Sequence, residues 1–519
     1  MCPCGLWGLR NTGSPNCAIM VAMKKIAVIG GGAAGLAAAV NAVRPTAQVT
    51  LFEAADRVGK SILASGNGRC NFSNANIDPQ RYNQPFFVEE SMGRLPAEEV
   101  LRFFKELGLL WAEEEEGRLY PRTNKASSVL DVLRFAAEGL GVRFCLGATV
   151  QAVTPIEGRY QVHAVGQDIP GREGLFDAVI LACGGKVARS ILPLHYPYLS
   201  PRPVLGAIKT DTGPIRGLNN IRVRCAISGA GYCEKGEVLF RDYGISGIAT
   251  FNLSRVVEAG STVILDFFPE LSRFELECML KERLGLLSKR EATRRPLQPG
   301  QDCLLGNRQE QKDQKEQQQQ GKQQQGQRAQ QQQQQQQQEQ RAQQQQPQQE
   351  QKMQQQQASR QLSQRTALEF CAGMLQAPLA RAVLRRAQIH PEKAFEPAQA
   401  AALAQALKAF PLEVLGIADT QNCQVWRGGF SIEPFDPATM GSKLDAGLYA
   451  AGEALDVDGP CGGYNLHWAW TSGILAGRNA ALFVEDAGSP AIAVSGAAHM
   501  ACFADPHADD AGNDARYHA

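Results

Sequence analysis

The stretch KKIAVIGGGAAGLAAAVNAV, residues 24–43, joins a short apolar run, a glycine-rich turn and an alanine-rich segment. The pattern predicts a buried strand over residues 25–29, followed directly by a helix. Gly30, Gly32 and Gly35 occupy the three glycine places of a G-x-G-x-x-G fingerprint. In that fingerprint the glycines permit a tight turn, close approach of a pyrophosphate and close packing of the helix on its strand. The stretch therefore predicts a dinucleotide-binding βαβ unit.

A second predicted strand, residues 49–52, ends in Glu53, which stands 18 residues after Gly35. An acidic residue at this distance typically accepts hydrogen bonds from the ribose hydroxyls of an adenosine. The N-terminus of the first helix, at Ala33 and Ala34, supplies a positive dipole to the phosphates. These features predict a bound dinucleotide without deciding between NAD and FAD.

The segment after the second strand, residues 59–74, reads GKSILASGNGRCNFSN and is polar and rich in glycine. It resembles flavoproteins of the glutathione-reductase superfamily, in which such a segment continues along the FAD diphosphate towards the flavin. More narrowly, it is similar to the aminoacetone oxidase family of FAD-binding enzymes, also described as 3-dehydro-bile-acid Δ4,6-reductase-like or BaiN/YhiN-type flavoproteins. The resemblance implies that FAD is the cofactor. It also implies that this segment contributes Lys60, Ser65, Gly66, Gly68, Arg69, Cys70 and Asn71 to the FAD site.

A second stretch, residues 447–473, is similar to the closing signature of that family. It indicates a buried strand, a loop with adjacent Gly462 and Gly463, and a helix beginning near Tyr464. The N-terminus of that helix would face the flavin and stabilise its reduced form. The resemblance extends over residues 24–483 apart from a glutamine-rich tract. It implies further cofactor contacts from Val150, Cys183, Gly184, Gly452, Glu453, Asp458, Gly462, Gly463, Tyr464 and Asn465.

Departures from the family pattern occur at three places. Cys183 stands where threonine is usual, and Arg241 and Asp242 replace threonine and histidine. Ile248 replaces a proline. The last two departures lie in the segment that resembles the signature of the inserted domain, so they concern the substrate more than the cofactor.

The candidates for reacting residues are Tyr243, Cys70 and Tyr120. Tyr243, in a glycine-flanked loop, is a candidate acid for protonating a substrate carbon, and the alternative is an amphipathic packing residue. Cys70 has no partner in Cys-x-x-Cys spacing, which argues against dithiol exchange and favours a small packed thiol. His467, in the first turn of the closing helix, is expected to be neutral and structural because the helix dipole disfavours a cation there.

The predicted fold is a three-layer, Rossmann-like α/β domain for FAD with an inserted β-barrel and helical subdomain. Alternating segments at residues 221–227, 237–240 and 262–267 predict barrel strands, and amphipathic patterns at 274–287, 366–387 and 397–410 predict helices. The expected division is an extension over 1–22, FAD-binding segments over 23–193 and 426–484, an insert over 194–425 and a loose tail over 485–519. Glutamine dominates residues 308–364, which predicts a disordered insertion between two helices.

Composition narrows the class of protein. The chain has 53 Lys and Arg against 52 Asp and Glu, and a net charge of +1 provides no overall field for nucleic acid or an anionic membrane. No apolar run approaches the roughly 18 residues of a membrane span. The cysteines of the core stand singly, without metal-ligand spacing, so we expect reduced thiols, a cytoplasmic location and no bound metal.

These features predict an FAD-dependent oxidoreductase. NAD(P)H is the expected transient donor in the substrate cleft, because the sequence contains no second dinucleotide-binding pattern. The resemblance implies reduction of an activated C=C bond, as in a steroid- or bile-acid-like enone, or oxidation of a small amine by oxygen. Two other hypotheses stay open. One is a non-catalytic flavoprotein that binds a partner or itself through the glutamine tract, and the other is an RNA-modifying enzyme with a basic helix end near Lys289 and Arg290.

Overall fold

The computed structural model describes residues 23–166, 174–192, 195–285, 365–418, 420 and 423–486. The predicted extension over 1–22, the glutamine-rich tract over 308–364 and the tail after residue 486 lie outside these ranges. Lys289 and Arg290 also lie outside them. The predictions for these segments therefore stay predictions.

The described residues form strands, many of them short, and helices of one to six turns. The strands are β1 Lys24–Ile29, β2 Ala47–Glu53, β3 Ser73–Asn74, β4 Trp111–Glu114, β5 Arg118–Pro121, β6 Arg143–Leu146, β7 Thr149–Ile156, β8 Arg159–Val165, β9 Leu175–Phe176, β10 Ala178–Leu181, β11 Tyr198–Val204, β12 Ile208–Thr210, β13 Arg222–Gly229, β14 Tyr232–Arg241, β15 Gly244–Ser246, β16 Thr262–Asp266, β17 Phe410–Ile417, β18 Val425–Phe430 and β19 Leu448–Ala450. The α-helices are α1 Ala33–Ala42, α2 Lys60–Ala64, α3 Pro85–Arg94, α4 Ala97–Glu106, α5 Ala126–Gly139, α6 Gly185–Ile191, α7 Ile248–Leu253, α8 Arg273–Arg283, α9 Ala367–Cys371, α10 Ala377–Arg386, α11 Ala400–Lys408 and α12 Tyr464–Asp486.

A parallel sheet of five strands forms the centre of the first core, in the order β19-β10-β1-β2-β6. Val28 of β1 lies opposite Leu51 of β2 on one side and opposite Ile180 of β10 on the other. All three side chains are fully buried. Parallel sheets are covered on both faces, which explains the apolar runs over residues 26–29 of β1 and 178–181 of β10. The predicted Rossmann-like fold is confirmed.

The carboxyl ends of the central strands share one edge of the sheet, where ligands bind in folds of this type. Gly30, after β1, donates its N–H to Phe52 O at 2.8 Å, and Ala451, after β19, donates to Leu181 O at 2.8 Å. Segments from distant parts of the chain therefore meet at this edge.

A small antiparallel sheet of β7, β8 and β9 covers one side of the central sheet. Val153, Tyr160 and Val162 of this small sheet are buried. Phe176 of β9 lies edge-on to Phe52 of β2, with ring centroids 5.8 Å apart. With helices α1, α5 and α12, the two sheets make the expected three layers.

Helix α12 packs unusually closely on α1. A Cβ on Gly473 would lie 2.4 Å from Ala34 O, and a Cβ on Gly477 would lie 2.4 Å from Ala38 O. Gly473 and Gly477 meet Ala34 and Ala38 in the same order along the chain, so the two helices run parallel. Gly473 is level with Ala34, the second residue of α1, and α12 begins nine residues earlier at Tyr464. Helix α12 therefore projects about 12 Å beyond the start of α1, at about 1.5 Å per residue. This offset places two helix N-termini along one side of the ligand-binding edge.

A closed barrel of six antiparallel strands forms the second core, in the order β12-β15-β14-β13-β16-β17. Its buried residues include Ile227, Val238, Phe240 and Leu265. Closure leaves no exposed strand edge in the barrel. The three predicted barrel strands correspond to β13, β14 and β16, so the predicted barrel is confirmed.

The helical part of the insert differs from the prediction most clearly at residues 366–387, and the helix predicted over 397–410 ends at Lys408, before strand β17. The amphipathic pattern predicts one helix over residues 366–387, but the structure has α9 and α10 with a turn between them. Gly373 in that turn has φ +81°, and Pro378 lies in the first turn of α10. Proline is tolerated there because its missing N–H would be unpaired anyway. Apolar periodicity continues across this break, so periodicity alone does not reveal it.

Candidate functional site

The three fingerprint glycines have different roles in the loop after β1. Gly30 has φ +106°, and a Cβ there would lie 2.4 Å from Ala182 O. A Cβ on Gly35 would lie 1.8 Å from Gly30 O, so Gly35 allows the helix to pack on the turn. Gly32 has φ −79°, and its Cβ would meet only Ser61 Oγ, at 3.3 Å. Neither backbone strain nor packing requires a glycine at position 32. The open space beside it fits a diphosphate at the helix N-terminus.

Glu53 lies beside this loop at the end of β2. Its Oε2 accepts a hydrogen bond from Gly31 N–H and its Oε1 accepts one from Ala55 N–H, both at 2.7 Å. The carboxylate is half-buried, so it retains an accessible side. In this fingerprint a carboxylate at the end of the second strand accepts hydrogen bonds from the ribose of the adenosine, and the position of Glu53 beside the glycine loop fits that role.

Val150, Cys183 and Gly184 are three more of the predicted cofactor contacts. Val150 is buried in β7, so it offers only apolar packing. Burial raises the pKa of the Cys183 thiol to about 12, so the thiol is protonated at neutral pH. Gly184 has φ +77°, and a Cβ there would meet no atom within 4 Å. The space at Gly184 is therefore open to a ligand.

The glycine-rich segment over residues 59–74 folds back on the first loop. Gly59 N–H donates to Gly31 O at 2.8 Å. Gly66 and Gly68 have φ +56° and +81°, which residues with side chains rarely adopt. Asn71 Oδ1 is buried, and no donor within the described part of the chain reaches it. A buried acceptor without a donor fits a site for a ligand N–H or O–H group.

The two cations of this segment are paired with protein groups. Lys60 lies 2.7 Å from Asp56, and both side chains are largely exposed. Arg69 lies over the Tyr120 ring, 4.1 Å from its centroid, and forms an ion pair with Glu114. Contact of Lys60 or Arg69 with an FAD phosphate would require these pairs to open.

Cys70 and Tyr120 lie close together beside Arg69. Cys70 is fully buried, and burial raises its thiol pKa to about 11, against a smaller opposing effect of the Ser65 hydroxyl. A protonated thiol is a poor nucleophile. Burial also raises the pKa of Tyr120, which is half-buried. The structure favours packing for Cys70, and the catalytic roles of both residues stay predictions.

The closing loop, residues 451–463 between β19 and α12, packs against strand β3 through Gly462 and Gly463. Gly462 and Gly463 have φ +111° and +98°, and a Cβ on Gly463 would lie 2.2 Å from Ser73 O. Asn74 Nδ2 donates to Gly462 O at 2.9 Å. The two stretches that resemble the flavoprotein family therefore form one site, although Asn74 and Gly462 are 388 residues apart. Helix α12 begins at this junction with Tyr464.

His467, in the first turn of α12, is fully buried. Its Nδ1 lies 2.9 Å from Ser73 Oγ, and burial lowers the pKa of the imidazole to about 4. The ring is therefore neutral at physiological pH. The prediction of a neutral histidine at this position is confirmed.

Asp458 requires a correction. We expect a cofactor contact there, but both carboxylate oxygens accept hydrogen bonds from arginines. Arg255 Nε donates to Oδ2 at 2.7 Å, and Arg427 Nη2 donates to the same oxygen at 2.9 Å while its Nε donates to Oδ1. Asp458 is 1% exposed. The side chain is engaged in a buried ion cluster that joins the closing loop to the end of α7, and it is not available to a cofactor. Neither arginine lies in a recognisable motif, which is why sequence analysis missed the cluster.

The side chains of Tyr464 and Asn465 also bind protein groups. Tyr464 is 1% exposed, and its hydroxyl donates to Asn76 O at 2.9 Å. Asn465 Oδ1 accepts from Gly459 N–H, and its Nδ2 donates to Gly459 O, each at 2.9 Å. The side chains of these residues shape the loop, so any cofactor contact from them would come from the backbone.

Gly452 and Glu453 follow β19 next to α1. A Cβ on Gly452 would lie 2.8 Å from the Ala34 Cβ, so only glycine permits this approach. Burial, with a smaller contribution from Asp458, raises the pKa of Glu453 to about 7. Glu453 can therefore hold or release a proton near neutral pH at the edge of the predicted site.

Tyr243 lies in the turn between β14 and β15, where its carbonyl accepts from Thr210 N–H at 3.1 Å. The barrel segment that contacts the closing loop is instead α7, since Asn252 Oδ1 accepts from Cys461 N–H at 2.7 Å. Asn252 is buried and forms part of a polar cluster that sequence analysis did not identify. The catalytic role of Tyr243 stays a prediction.

Two features are absent from the described residues. No helix there combines the length and apolar character that crossing a bilayer requires. No group of three or more His, Cys, Asp or Glu side chains within those ranges is arranged to hold a metal ion.

Comparison with known proteins identifies a family for this chain. Residues 24–191 and 314–479 match the family model described as the HI0933-like protein Rossmann domain. The chain is 30% identical to the 3-dehydro-bile acid Δ(4,6)-reductase of Clostridium scindens, over 88% of this chain and 99% of that one. It is 22% identical to the ribosomal RNA dihydrouridine synthase of Escherichia coli, over 86% of this chain and 95% of that one. A match to the Haemophilus influenzae protein of the same name has 27% identity and covers 47% of this chain and 64% of that one.

The residues fit FAD: an open glycine loop at Gly32, an acidic residue at Glu53, and an unsatisfied buried acceptor at Asn71. Both stretches that resemble flavoproteins lie in the matched regions. The chain belongs to the HI0933-like Rossmann family and is an FAD-dependent oxidoreductase.

Proposed function

We propose that the protein reduces a C=C bond conjugated to a carbonyl group, with NAD(P)H as the electron donor. The observation that carries this proposal is the match to the C. scindens reductase over 99% of that protein's length. A steroid- or bile-acid-like enone is the substrate class that this relative supports.

The reactions for which the two relatives are named share one chemical feature. A Δ(4,6)-reductase of a 3-dehydro bile acid acts on double bonds conjugated to the 3-oxo group. Dihydrouridine is uridine with its 5,6 double bond reduced, and that bond is conjugated to a ring carbonyl. Both reactions add a hydride to one carbon and a proton to its neighbour. This shared chemistry supports the reaction type more strongly than it supports any one substrate.

The site is suited to such a reaction. FAD, when bound, supplies the hydride chemistry, and the protein must orient the substrate and provide a proton. The loop at Gly32 and the carboxylate of Glu53 would hold the diphosphate and the ribose. The N-terminus of α12 would stabilise negative charge near Gly462 and Gly463. Cys70 is a single, buried, protonated thiol, so the site does not favour dithiol exchange.

The nicotinamide donor would use the same cleft as the substrate. The described residues contain one parallel sheet with one G-x-G-x-x-G loop, so they provide no second dinucleotide fold. Donor and substrate would then bind in turn, and the reaction would consist of two separate half-reactions.

Anaerobic spectroscopy tests the proposal. The purified protein is mixed with NADPH or NADH while the absorbance of oxidised flavin is followed, and a steroid 4,6-dien-3-one is then added. We expect rapid bleaching by one nucleotide and rapid recovery with the dienone, but slow recovery with oxygen. No bleaching by either nucleotide, together with rapid reoxidation of photoreduced flavin by oxygen, would instead support an amine oxidase. A variant lacking residues 308–364 should keep its flavin turnover. If the full chain shows no flavin turnover and the deletion abolishes its function, an interaction protein is favoured instead.

Reduction of uridine in RNA is the second candidate, supported by the match to the E. coli enzyme over 95% of its length. The described part of the predicted basic helix end gives it little support. Lys281 pairs with Glu277 at 2.6 Å, and Arg283 donates to Phe370 O and Ala372 O. An unmodified ribosomal RNA fragment in place of the dienone distinguishes the two candidates. RNA binding would weaken steeply with salt.

A further inference from the structure

A polar cluster lies where strand β14 begins, on the barrel side of the closing loop. Tyr232 Oη donates to Glu234 Oε2 at 2.6 Å. Asn252 Nδ2 donates to the other carboxylate oxygen of Glu234 at 2.8 Å. Tyr232 and Glu234 are half-buried, while Asn252 is 2% exposed. The phenol is thus held by a carboxylate that is itself held by a buried amide.

This cluster is joined directly to the closing loop. Asn252 Oδ1 accepts from Cys461 N–H at 2.7 Å, and Cys461 immediately precedes Gly462 and Gly463. Hydrogen bonds through the side chains of Glu234 and Asn252 therefore connect Tyr232 to the loop that carries Gly462 and Gly463.

Arg81 borders the cluster from the other side. Its Nη1 lies 3.2 Å from the Tyr464 hydroxyl, and its guanidinium carbon lies 5.0 Å from the centroid of that ring. The Arg81 charge also interacts with Tyr232 and Glu234. Arg81 is itself held in place, since its carbonyl accepts from Arg255 Nη2 at 3.2 Å. The charge of Arg81 therefore favours a phenolate at Tyr232, against the larger opposing effects of burial and Glu234.

We propose that Tyr232 delivers the proton to the substrate carbon next to the carbonyl, with Glu234 and Arg81 as positioning residues. The proposal rests on the proposed reduction of a conjugated C=C bond. Burial, followed by the Glu234 carboxylate, raises the pKa of Tyr232 far above its ordinary value. The phenol therefore keeps its proton at neutral pH until a strongly basic carbon is presented to it.

The proton step balances as follows. After hydride addition to the β-carbon, the substrate is an enolate with negative charge on oxygen and α-carbon. A C–H bond forms at the α-carbon as the Tyr232 O–H bond breaks, and the electron pair of that bond stays on the phenolate oxygen. The positive charge of Arg81 stabilises this phenolate. Solvent returns the proton by way of Glu234.

Tyr232 differs from Tyr243 in its position on the barrel. The two tyrosines lie at or just beyond opposite ends of β14, a strand of ten residues, which spans about 30 Å at about 3.3 Å per residue. Only the end at Tyr232 has the connection through Glu234 and Asn252 that leads to Cys461. The geometry therefore favours Tyr232 over Tyr243 as the acid.

The kinetic test uses Tyr232→Phe, with Tyr243→Phe as the rival and Tyr160→Phe as the matched control. Tyr160 donates to Ala446 O in the small sheet, away from the barrel. Each protein is photoreduced without oxygen and mixed with a steroid 4,6-dien-3-one. We expect Tyr232→Phe to reoxidise about 100-fold or more slowly, the usual effect of a lost general acid, while its FAD content and its reduction by NADPH are unchanged. Tyr160→Phe should match the wild type.

A second measurement reports contact without turnover. The chain has 10 tyrosines, so 3-fluorotyrosine gives a small set of ¹⁹F resonances, and the one missing in Tyr232→Phe identifies Tyr232. We expect Glu234→Gln to shift this resonance in the free protein. The dienone should shift it in the oxidised wild type, which cannot complete the reaction.

The outcomes separate the two proposals. If the reduced wild type is not reoxidised by the dienone, the proposed function fails and the role of Tyr232 fails with it. If the wild type is reoxidised and Tyr232→Phe reacts equally fast, the proposed function stands and this inference is overturned. A loss found in Tyr243→Phe alone, or no ¹⁹F shift with the dienone, would also overturn it.

Discussion

The loop after β1 and the contact between the closing loop and the barrel illustrate two ways in which a site is built. The first loop depends on residues within about 30 positions of one another, since Gly30, Gly32, Gly35 and Glu53 lie in a single βαβ unit. The contact at Asp458 instead joins Arg255, 203 residues away, and Arg427, 31 residues away. The glycine loop can be predicted from the spacing of its residues in the sequence. The contact at Asp458 forms only when distant segments pack together, so residue spacing does not predict it.

The largest expected effect concerns the local element. Gly32→Glu fills the open space at the helix N-terminus and adds a negative charge where the diphosphate would lie. We expect complete loss of bound FAD, measured as flavin released per protein after denaturation. Gly93→Glu is the control, because Gly93 is an exposed helical glycine with no atom within 4 Å of its Cβ position. A Gly32→Glu protein that purifies with full FAD would contradict the assignment of this loop.

The long-range contact predicts the next largest effect. Asp458→Asn leaves the charges of Arg255 and Arg427 without their buried carboxylate. Breaking a buried ion pair in this way typically costs about 3–5 kcal/mol, which urea unfolding can measure. Glu237→Gln, which removes an exposed pair with Arg222, should change stability by less than about 1 kcal/mol. Equal effects of the two substitutions would mean that the Asp458 cluster adds nothing beyond a surface pair.

His467 makes the stability of this junction depend on pH, because it links α12 to Ser73 of β3. Its folded pKa of about 4 lies below the ordinary value of 6.5, so the unfolded chain binds the proton more readily. Stability should therefore fall as pH drops from about 6.5 to about 4, by up to about 3 kcal/mol. Unfolding of the wild type and of His467→Gln across this range isolates the effect. An identical pH dependence in the two proteins would show that His467 is not buried as a neutral group.

The smallest predicted effect tests the packing of α12 on α1. Gly473→Ala places a Cβ 2.4 Å from Ala34 O, and overpacking of this kind typically costs about 1–3 kcal/mol. Gly139→Ala, at an open and exposed helical position, should instead stabilise the protein by about 0.4–1 kcal/mol. Thermal unfolding compares the two variants. A stable Gly473→Ala protein with normal FAD affinity would mean that the packing of α12 on α1 does not position the predicted flavin site at Gly462 and Gly463.

The parts of the site that depend on local spacing could be predicted from the sequence. The strand, the glycine loop, Glu53 and the start of α12 at Tyr464 all lie where their patterns place them. These features could be predicted because the conformation of each depends mostly on its own neighbours in sequence. The neutral state of His467 was also predicted, from its place in a helix N-terminus, but its cause in the structure is burial.

The parts that could not be predicted depend on packing between distant segments. Asp458 resembles a cofactor ligand in sequence, and only the fold shows that two arginines bind it. Tyr232 and Glu234 are ordinary strand residues until α7 brings Asn252 and the closing loop beside them. The break between α9 and α10 has a local signal in Gly373 and Pro378, but the apolar periodicity obscures it.

The stoichiometry of a closed reaction distinguishes reduction of a C=C bond from an oxidase reaction. The protein is incubated without oxygen with NADPH and a steroid 4,6-dien-3-one, and the oxidised nucleotide and the saturated product are both quantified. We predict that each molecule of NADPH consumed yields one molecule of dienone reduced at a C=C bond, and that Gly32→Glu yields none. Nucleotide oxidation that requires oxygen and produces hydrogen peroxide without reduced dienone would contradict the assignment as a C=C reductase.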